Sequence, residues 1–465
     1  NTIAGKTSGV LTATITTGAV TSTLAAITNV DANDVITFTT NDTSVDASDL
    51  VALAVKVDTL GVNSVTTITE AYNTANVATV VTNALNITGN TELVSITGGS
   101  ILATDVNTIL GATSGNVTAI VTADTAANLN SALTNATSTD ALTLTITDTS
   151  LSSLTNLLAL DTKTSLAVNA SSITSITETY ANLNTAYSSA GISGLGNEAV
   201  TITDTQSATN VNTILGKTTG VVTAIVSADT ASNLNSALTN ATTGTDVLTL
   251  TVNGATAQAT DLIGLDGKTS VDVSVTATAV SGTFANLNTV YVTNVANYVN
   301  LGDENVTITD TTSASNVNII LGATSGNVTA IVTADTAAAL NTALTNATTG
   351  TDALTLTIND TTLTSVSDLL ALDGKTNVAV NASSVNSITD TYTNLNSVYA
   401  ANTAGTISGL GNEAVTISDT TSAANVNTIA GRTSGILTAT VTTDTAAALN
   451  AALTNATPTD ALTLT

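Results

Sequence analysis

A short run of alternating side chains opens a unit that recurs along the chain. In residues 141–147, Leu142, Leu144 and Ile146 alternate with threonines, which predicts a strand with one buried face. A helical spacing follows, with an apolar face made by Leu151, Leu154, Leu157 and Leu158. We call one such strand, together with the helix that follows it, a coil.

Coils are grouped into a longer repeat. The phrase NTIAGKTSG, at residue 1, returns in similar form at residues 107, 212, 318 and 427. Four coils of similar pattern fill each interval, and this internal repeat indicates how the chain is organised into domains. We predict a single continuous solenoid over residues 1–465, with super-repeats at approximately 1–106, 107–211, 212–317 and 318–426 and a partial one at 427–465.

Coils of this kind are expected to stack on one another. One coil cannot bury its own apolar face, so neighbouring coils must cover each other. A strand that joins a parallel neighbour needs a crossover, which the short helix supplies. We therefore predict an α/β repeat solenoid of stacked strand–helix coils, with one continuous parallel sheet and a layer of short helices. No polar capping coil is visible at either end, so we expect the natural molecule to continue in both directions.

The composition narrows the chemistry. The chain has no Cys, His, Met or Trp, which excludes zinc or copper sites built on His or Cys, thiol nucleophiles and His-dependent catalysis. We therefore expect that the chain is not an enzyme and that it has no catalytic or cofactor-binding residues. A net charge of −27 repels nucleic acid and anionic membranes. No run of about 18 apolar residues occurs, so we expect no membrane insertion.

An aspartate recurs just before many of the expected helices. The positions are Asp124, Asp204, Asp229, Asp310, Asp335, Asp419 and Asp444. We interpret these residues as helix N-caps, because a carboxylate accepts the free N–H groups of a helix start. The alternative is a calcium ladder at Asp124, Asp229, Asp335 and Asp444, which would make calcium the one cofactor.

Aromatic residues recur beside the longest insertion of each super-repeat. Tyr180 and Tyr187, Phe284 and Tyr291, and Tyr392 and Tyr399 are pairs seven residues apart, so each pair shares a helix face. The insertions end at Glu198, Asp303, Glu304 and Glu413, and we take these acidic residues together with the six aromatic ones as candidates for assembly contacts. Because this loop recurs, the pair Asp303–Glu304 is not expected to be a glycosidase acid and base. Two interpretations stay open: the aromatic side chains fill a wider coil and anchor the insertion, or they make lateral contacts between solenoids.

The strand–helix pattern is similar to leucine-rich repeats, without their asparagine ladder. Phrases such as DTAAALNAALTNAT at 444–457 and ALTLTITDT at 141–149 more closely resemble the Thr/Ala/Leu/Asn-rich arrays of giant secreted cell-surface proteins of cyanobacteria and other aquatic bacteria. The resemblance covers nearly the whole chain. It implies a structural, self-assembling segment of a filament, sheath or surface layer, extracellular or at the cell surface. The alternative is an adhesin stalk or a glycan- or ice-binding array, with cell-surface glycans as partners.

Overall fold

Short strands and short helices alternate through the computed structural model, which describes residues 1–72, 76–241, 244–347 and 350–464. The strands are β1 (Thr12–Thr14), β2 (Val35–Thr39), β3 (Ser44–Asp46), β4 (Thr59–Gly61), β5 (Thr67–Ala71), β6 (Leu93–Ile101), β7 (Val117–Val121), β8 (Ala141–Thr143), β9 (Ser150–Leu151), β10 (Val168–Asn169), β11 (Ser175–Glu178), β12 (Ile192–Ser193), β13 (Ala199–Ile202), β14 (Val222–Ile225), β15 (Val247–Thr249), β16 (Thr251–Val252), β17 (Ala257–Gln258), β18 (Val273–Val275), β19 (Ala279–Gly282), β20 (Tyr298–Val299), β21 (Asn305–Ile308), β22 (Val328–Ile331), β23 (Ala353–Thr355), β24 (Thr362–Leu363), β25 (Val380–Asn381), β26 (Ser387–Asp390), β27 (Ile407–Ser408), β28 (Ala414–Ile417), β29 (Leu437–Thr440) and β30 (Ala461–Thr463).

The helices are α1 (Val20–Ala26), α2 (Ala47–Ala54), α3 (Val77–Thr88), α4 (Ala103–Leu110), α5 (Ala126–Ala132), α6 (Thr155–Asp161), α7 (Tyr180–Ser188), α8 (Ala208–Leu215), α9 (Ala231–Ala237), α10 (Ala259–Asp266), α11 (Phe284–Asn288), α12 (Ala314–Leu321), α13 (Ala337–Ala343), α14 (Ser367–Asp373), α15 (Tyr392–Ala404), α16 (Ala423–Ala430) and α17 (Ala446–Ala452). A π-helical turn, Thr289–Thr293, continues α11. Short 3₁₀ turns occur at Ala4–Lys6 and Val295–Asn297. The last residue of the expected terminal strand, Thr465, lies outside the described residues.

The predicted alternation in residues 141–147 is confirmed. Leu142, Leu144 and Ile146 are buried, whereas Thr143 and Thr147 are exposed. The helix that follows is shorter than predicted, because it begins at Thr155. The prediction was wrong for Leu151, which lies in β9 and pairs with Ile176 of β11. After a bend, the chain at this point resumes an extended path before it turns into the helix.

Two compact units make up the chain, one comprising Asn1–Gln206 and Asn210–Ile225, the other Ser207–Thr209 and Val226–Thr465. In the first unit, strand orders are β1-β2-β4, β3-β5-β6-β7-β8, β10-β12 and β9-β11-β13-β14. In the second unit, they are β16-β18-β20, β17-β19-β21-β22-β23, β25-β27 and β24-β26-β28-β29-β30. The pairs inside these sheets are parallel, which the helical crossovers require.

Several sheets replace the single continuous sheet of the prediction because many coils are bent. In such a coil the extended segment has two parts separated by a corner, as in β18 and β19. The first part pairs with β16 and β20, and the second with β17 and β21. The two parts therefore belong to different sheets, while the parallel strand–helix repeat is retained.

Small aliphatic side chains form the core of each unit. Val117, Ala119 and Val121 of β7 are buried, and the residues between them are exposed. The helix α12 buries Val317 and Ile320 along one side. These patterns are the amphipathic strand and helix predicted from the sequence, and they bring the corners and helix ends of neighbouring coils close together.

Candidate functional site

The insertions end in a Tyr–Glu pair with a buried glutamate, and the pair occurs in three successive super-repeats. The Tyr187 hydroxyl donates a hydrogen bond to Glu198, and Tyr399 makes the same contact with Glu413. Glu198 is 0% and Glu413 1% exposed. Burial raises the pKa of Tyr187 and Tyr399 well above the ordinary value, and the adjacent carboxylate raises it further. These phenols therefore remain protonated donors.

The same glutamates close their own loops. The Glu198 carboxylate accepts hydrogen bonds from the backbone N–H groups of Gly196 (2.8 Å) and Asn197 (3.0 Å). Glu413 accepts from Gly411 (2.7 Å) and Asn412 (3.0 Å). The second members of the aromatic pairs thus face inward and anchor the insertion through a carboxylate.

The first members of these pairs occupy a different place. Tyr180, Phe284 and Tyr392 are the first residues of α7, α11 and α15 and are half-buried. Asp303 is exposed. Any lateral contact made by these sequence-predicted residues therefore falls to Tyr180, Phe284, Tyr392 and Asp303, and it stays a prediction.

A Thr-Ser-Gly or Thr-Thr-Gly corner joins each such glutamate to the next coil. Thr218 Oγ1 donates to the Glu198 carbonyl at 2.6 Å and accepts from the Gly220 N–H at 3.0 Å. A Cβ atom on Gly220 would lie 2.2 Å from the Glu198 carbonyl oxygen. The same close approach occurs at Gly115, Gly326 and Gly435. This geometry explains why the corner of the repeated phrase ends in glycine.

Buried aspartates occupy the corresponding corner in other coils. Asp140 is 3% exposed, and its Oδ1 accepts from the Val117 N–H of the preceding coil at 2.8 Å. Asp352 does the same for Val328, also at 2.8 Å. Burial raises the pKa of Asp352, against the lowering effect of that hydrogen bond. Sequence reasoning missed these residues, although the recurring phrase Thr-Asp before an alternating segment was a visible signal.

The aspartates predicted as N-caps need correction. The side-chain cap of α5 is Thr125, which accepts from the Asn128 N–H. Asp124 lies one residue earlier and accepts from the Thr125 N–H at 2.7 Å and from Asn128 Nδ2 at 2.9 Å. These bonds, that from Asn128 foremost, lower the pKa of Asp124. The arrangement recurs at Asp229, where the cap is Thr230. Threonines also cap the helices that follow Asp335 and Asp444, so the prediction was wrong by one residue at all four aspartates.

Other aspartates of that set cap the helix of the preceding coil. Asp204 accepts from the first N–H of α7, at Tyr180, with a distance of 2.9 Å. Asp310 and Asp419 accept in the same way from Phe284 and Tyr392, both at 2.7 Å. The residue type was expected at a helix start, but the helix belongs to the neighbouring coil. A helix start has free N–H groups and a positive dipole end, which favour this contact.

The aspartates considered for calcium already have protein donors. Asp335 and Asp444 each accept from the following backbone N–H, at 2.8 and 2.7 Å. Within the four described ranges, no group of three or more His, Cys, Asp or Glu side chains is placed to hold a metal ion.

Lysine side chains bind the C-terminal ends of some helices. Lys163 Nζ donates to the carbonyls of Asn130 (3.2 Å) and Leu133 (2.6 Å), at the end of α5. Lys375 makes equivalent contacts at the end of α13. Burial lowers the pKa of both lysines. Each cation lies where the helix has free carbonyls and a negative dipole end.

No protein-family model and no curated protein matches this sequence. No helix in the described parts of the chain has the length and apolar character needed to cross a membrane.

Proposed function

We propose that the chain is a structural repeat segment of an extracellular filament, sheath or surface layer, acting through stiffness and self-assembly rather than catalysis. In this proposal the coils of each unit form a solenoid. The observation that carries it is that the next coil caps both ends of a helix. A carboxylate from the next coil binds the start of a helix, and a lysine from the next coil binds its end.

This capping recurs with the super-repeat. Asp148 and Asp360 accept from the first N–H groups of α5 and α13, at 2.7 and 2.6 Å. Polar groups that an enzyme would direct into a cleft are used here to join one coil to the next. Such contacts restrict movement between neighbouring coils, as a stiff structural segment requires.

The surface charge sets the conditions for assembly. Of the seven basic residues, Lys56, Lys163, Lys268 and Lys375 donate to helix-end or neighbouring carbonyls in the described structure. The surface of the chain is consequently acidic, and like surfaces repel over a Debye length of about 8 Å at physiological ionic strength. We expect assembly to need salt or cations that screen this repulsion.

Electron microscopy and sedimentation velocity of the purified chain at increasing salt test the proposal. We expect ordered polymers of uniform width at high salt. A triple variant, Tyr180→Ala, Phe284→Ala and Tyr392→Ala, should reduce their lateral order. The control replaces the exposed Thr185 and Ser397 of α7 and α15 by alanine. Single particles at every salt concentration, together with glycan binding, would instead favour the adhesin alternative.

A further inference from the structure

The loop that ends the insertion of the third super-repeat departs from its counterparts at several positions. The second and fourth super-repeats have the sequence ISGLGNE at 192–198 and 407–413, whereas the third has YVNLGDE at 298–304. Asn300 replaces a glycine, and Asp303 replaces an asparagine. The pair of adjacent carboxylates at 303 and 304 therefore occurs in only one of these three loops.

The facing corner of the preceding coil is also different. When the coils are aligned on their paired strands, this corner spans 170–174 in the second super-repeat, 382–386 in the fourth and only 275–278 in the third. Ala277 takes the buried place of Ile173 and Val385. The corner of the third super-repeat is one residue shorter than the other two, and its buried side chain is smaller, so space is left there.

That space is a pocket of about 310 Å³. It is lined by Val275, Thr276, Ala277, Thr278, Asn300, Asp303 and Glu304. At Gly194, the counterpart of Asn300, an added Cβ atom would lie 2.7 Å from the backbone nitrogen of Ser171. The shorter corner therefore makes room for Asn300, whose backbone keeps the left-handed conformation with φ of 57°.

Glu304 differs from Glu198 and Glu413 in its hydrogen bonds. In Glu198 and Glu413, one carboxylate oxygen accepts a hydrogen bond from the tyrosine and the other accepts from backbone N–H groups. In Glu304 a single oxygen, Oε2, accepts from both Tyr291 Oη (3.1 Å) and the Gly302 N–H (2.8 Å). Its Oε1 is buried without a hydrogen-bond partner, and the residue is only 3% exposed.

A buried carboxylate oxygen without a donor is costly, because it has lost its water and gained nothing in exchange. A bound cation removes that cost. Asp303 adds a second negative charge at the mouth of the pocket. Asn300 Nδ2 donates to Ser274 Oγ at 3.0 Å, so its amide oxygen is the atom that can serve as a ligand. Thr276 and Thr278 also line the pocket, and their hydroxyls donate to the Val252 and Ala255 carbonyls, both at 2.9 Å. The lone pairs left on these two oxygens complete a set of oxygen ligands, which hard cations prefer.

We propose that this pocket binds one calcium ion, with Glu304 and Asp303 as the charged ligands and Asn300 and threonine oxygens as neutral ones. Calcium fits better than magnesium because it accepts irregular oxygen geometry, whereas magnesium demands a near-ideal octahedron. Two carboxylates make a site of modest affinity, in the range of about 10⁻⁴ to 10⁻³ M that extracellular calcium modules show.

Terbium luminescence tests the site, because Tb³⁺ substitutes for Ca²⁺ and is excited through nearby tyrosines such as Tyr291. We expect tyrosine-sensitised emission that Ca²⁺ displaces and Mg²⁺ does not at equal ionic strength. Asp303→Asn should weaken binding by about tenfold or more, since it removes one of two charged ligands. This variant restores the residue found at positions 197 and 412, so its fold should be unaffected. Glu304→Gln should abolish binding.

Asp444→Asn serves as the control for diffuse binding to an acidic surface, and its emission should match the unaltered chain. Equal emission from the Asp303→Asn and Asp444→Asn variants would overturn the proposal, as would the absence of Ca²⁺-displaceable emission from the unaltered chain. Circular dichroism of each variant without calcium separates loss of binding from loss of folding.

Discussion

The glycine of each corner shows how one atom constrains the repeat. A Cβ atom at position 435 would lie 2.2 Å from the Glu413 carbonyl oxygen, which is part of the backbone and cannot rotate away. At Gly374 the nearest such atom, the Ala371 carbonyl oxygen, is 3.5 Å away. Its counterpart in the second super-repeat is Thr162, so this position accepts a side chain.

Gly435→Ala should therefore lower the free energy of unfolding by about 1–3 kcal/mol, the usual cost of forcing atoms into a packed site. Gly374→Ala should leave it unchanged within about 0.5 kcal/mol. Equilibrium unfolding in urea measures both. Equal stability of the two variants would show that the corner relaxes around the added methyl group.

The tyrosines that pair with buried glutamates make stability fall in alkali. Burial raises the pKa of Tyr187, Tyr291 and Tyr399, while an unfolded tyrosine ionises near pH 10. The folded state holds these protons more tightly, so their contribution to stability is complete below about pH 10 and is lost as the pH rises further.

We expect phenolate absorbance from these residues to appear together with unfolding, measured by ultraviolet absorbance and circular dichroism on the same samples. In Tyr399→Phe the absorbance step should be smaller by one tyrosine. Complete ionisation of the tyrosines in a protein with native circular dichroism would contradict the prediction.

At the scale of elements, the helices are short and depend on their neighbours. A helix of seven residues such as α13 is too short to be stable alone in water. Its start is bound by Asp360 and its end by Lys375 of the following coil. Each helix of this kind is therefore completed by the coil stacked on it.

Lys375→Met keeps the apolar stem and removes the charge that binds the Asn341 and Leu344 carbonyls. We expect a loss of about 0.5–2 kcal/mol, as for a cation at a partly buried helix end. The exposed Lys217 provides the control variant Lys217→Met. Thermal unfolding followed by circular dichroism compares them, and an equal change in both would remove the capping role.

Acid weakens the cap that Asp390 gives to the start of α14. Burial alone would raise the pKa of Asp390, but hydrogen bonds from the Val366 N–H, Asn394 and the Thr391 N–H outweigh it and lower the pKa. A depressed folded pKa gives stability that is present above about pH 4, the unfolded value, and lost as the pH falls.

Asp390→Asn should reduce stability at neutral pH and flatten its decline between about pH 5 and pH 3, because the substituted residue no longer titrates. Melting temperatures over this range measure the effect. Asp303→Asn, at an exposed carboxylate outside the caps, is the matched comparison. Parallel pH curves for Asp390→Asn and the unaltered chain would contradict the assignment.

The sequence predicts the strands and helices better than it predicts the contacts between coils. Alternation around Leu142 and the spacing of Leu154 and Leu157 are local patterns, and they correctly indicated a strand and a helix. The partner of Asp148 is the Ala126 N–H, 22 residues earlier in another coil. Such contacts depend on how coils align, which periodicity alone does not determine. For the same reason the sequence did not predict that Glu198 is buried and accepts a hydrogen bond from Tyr187.

At the scale of the whole molecule, the stability of the proposed solenoid is approximately a sum of coils and of contacts between neighbours. Coils differ in how much they bury: α17 buries only Leu449, whereas α3 buries five residues. We expect amide hydrogen exchange to be fastest in residues 1–14 and 446–464, and slowest in strands such as β7. Mass spectrometry of exchanged peptides measures this order. Uniform protection along the chain would indicate one cooperative transition instead of a repeat array.

Capping of each helix by the next coil also restricts how the gene can change length. A donor in one coil needs the acceptor type carried by the next coil, and the full set of types returns only after four coils. Recombination that removes or duplicates a complete super-repeat keeps every donor opposite an equivalent acceptor. Recombination out of phase leaves a helix end or a buried carboxylate unmatched, so inherited length variants should differ by whole multiples of about 106 residues.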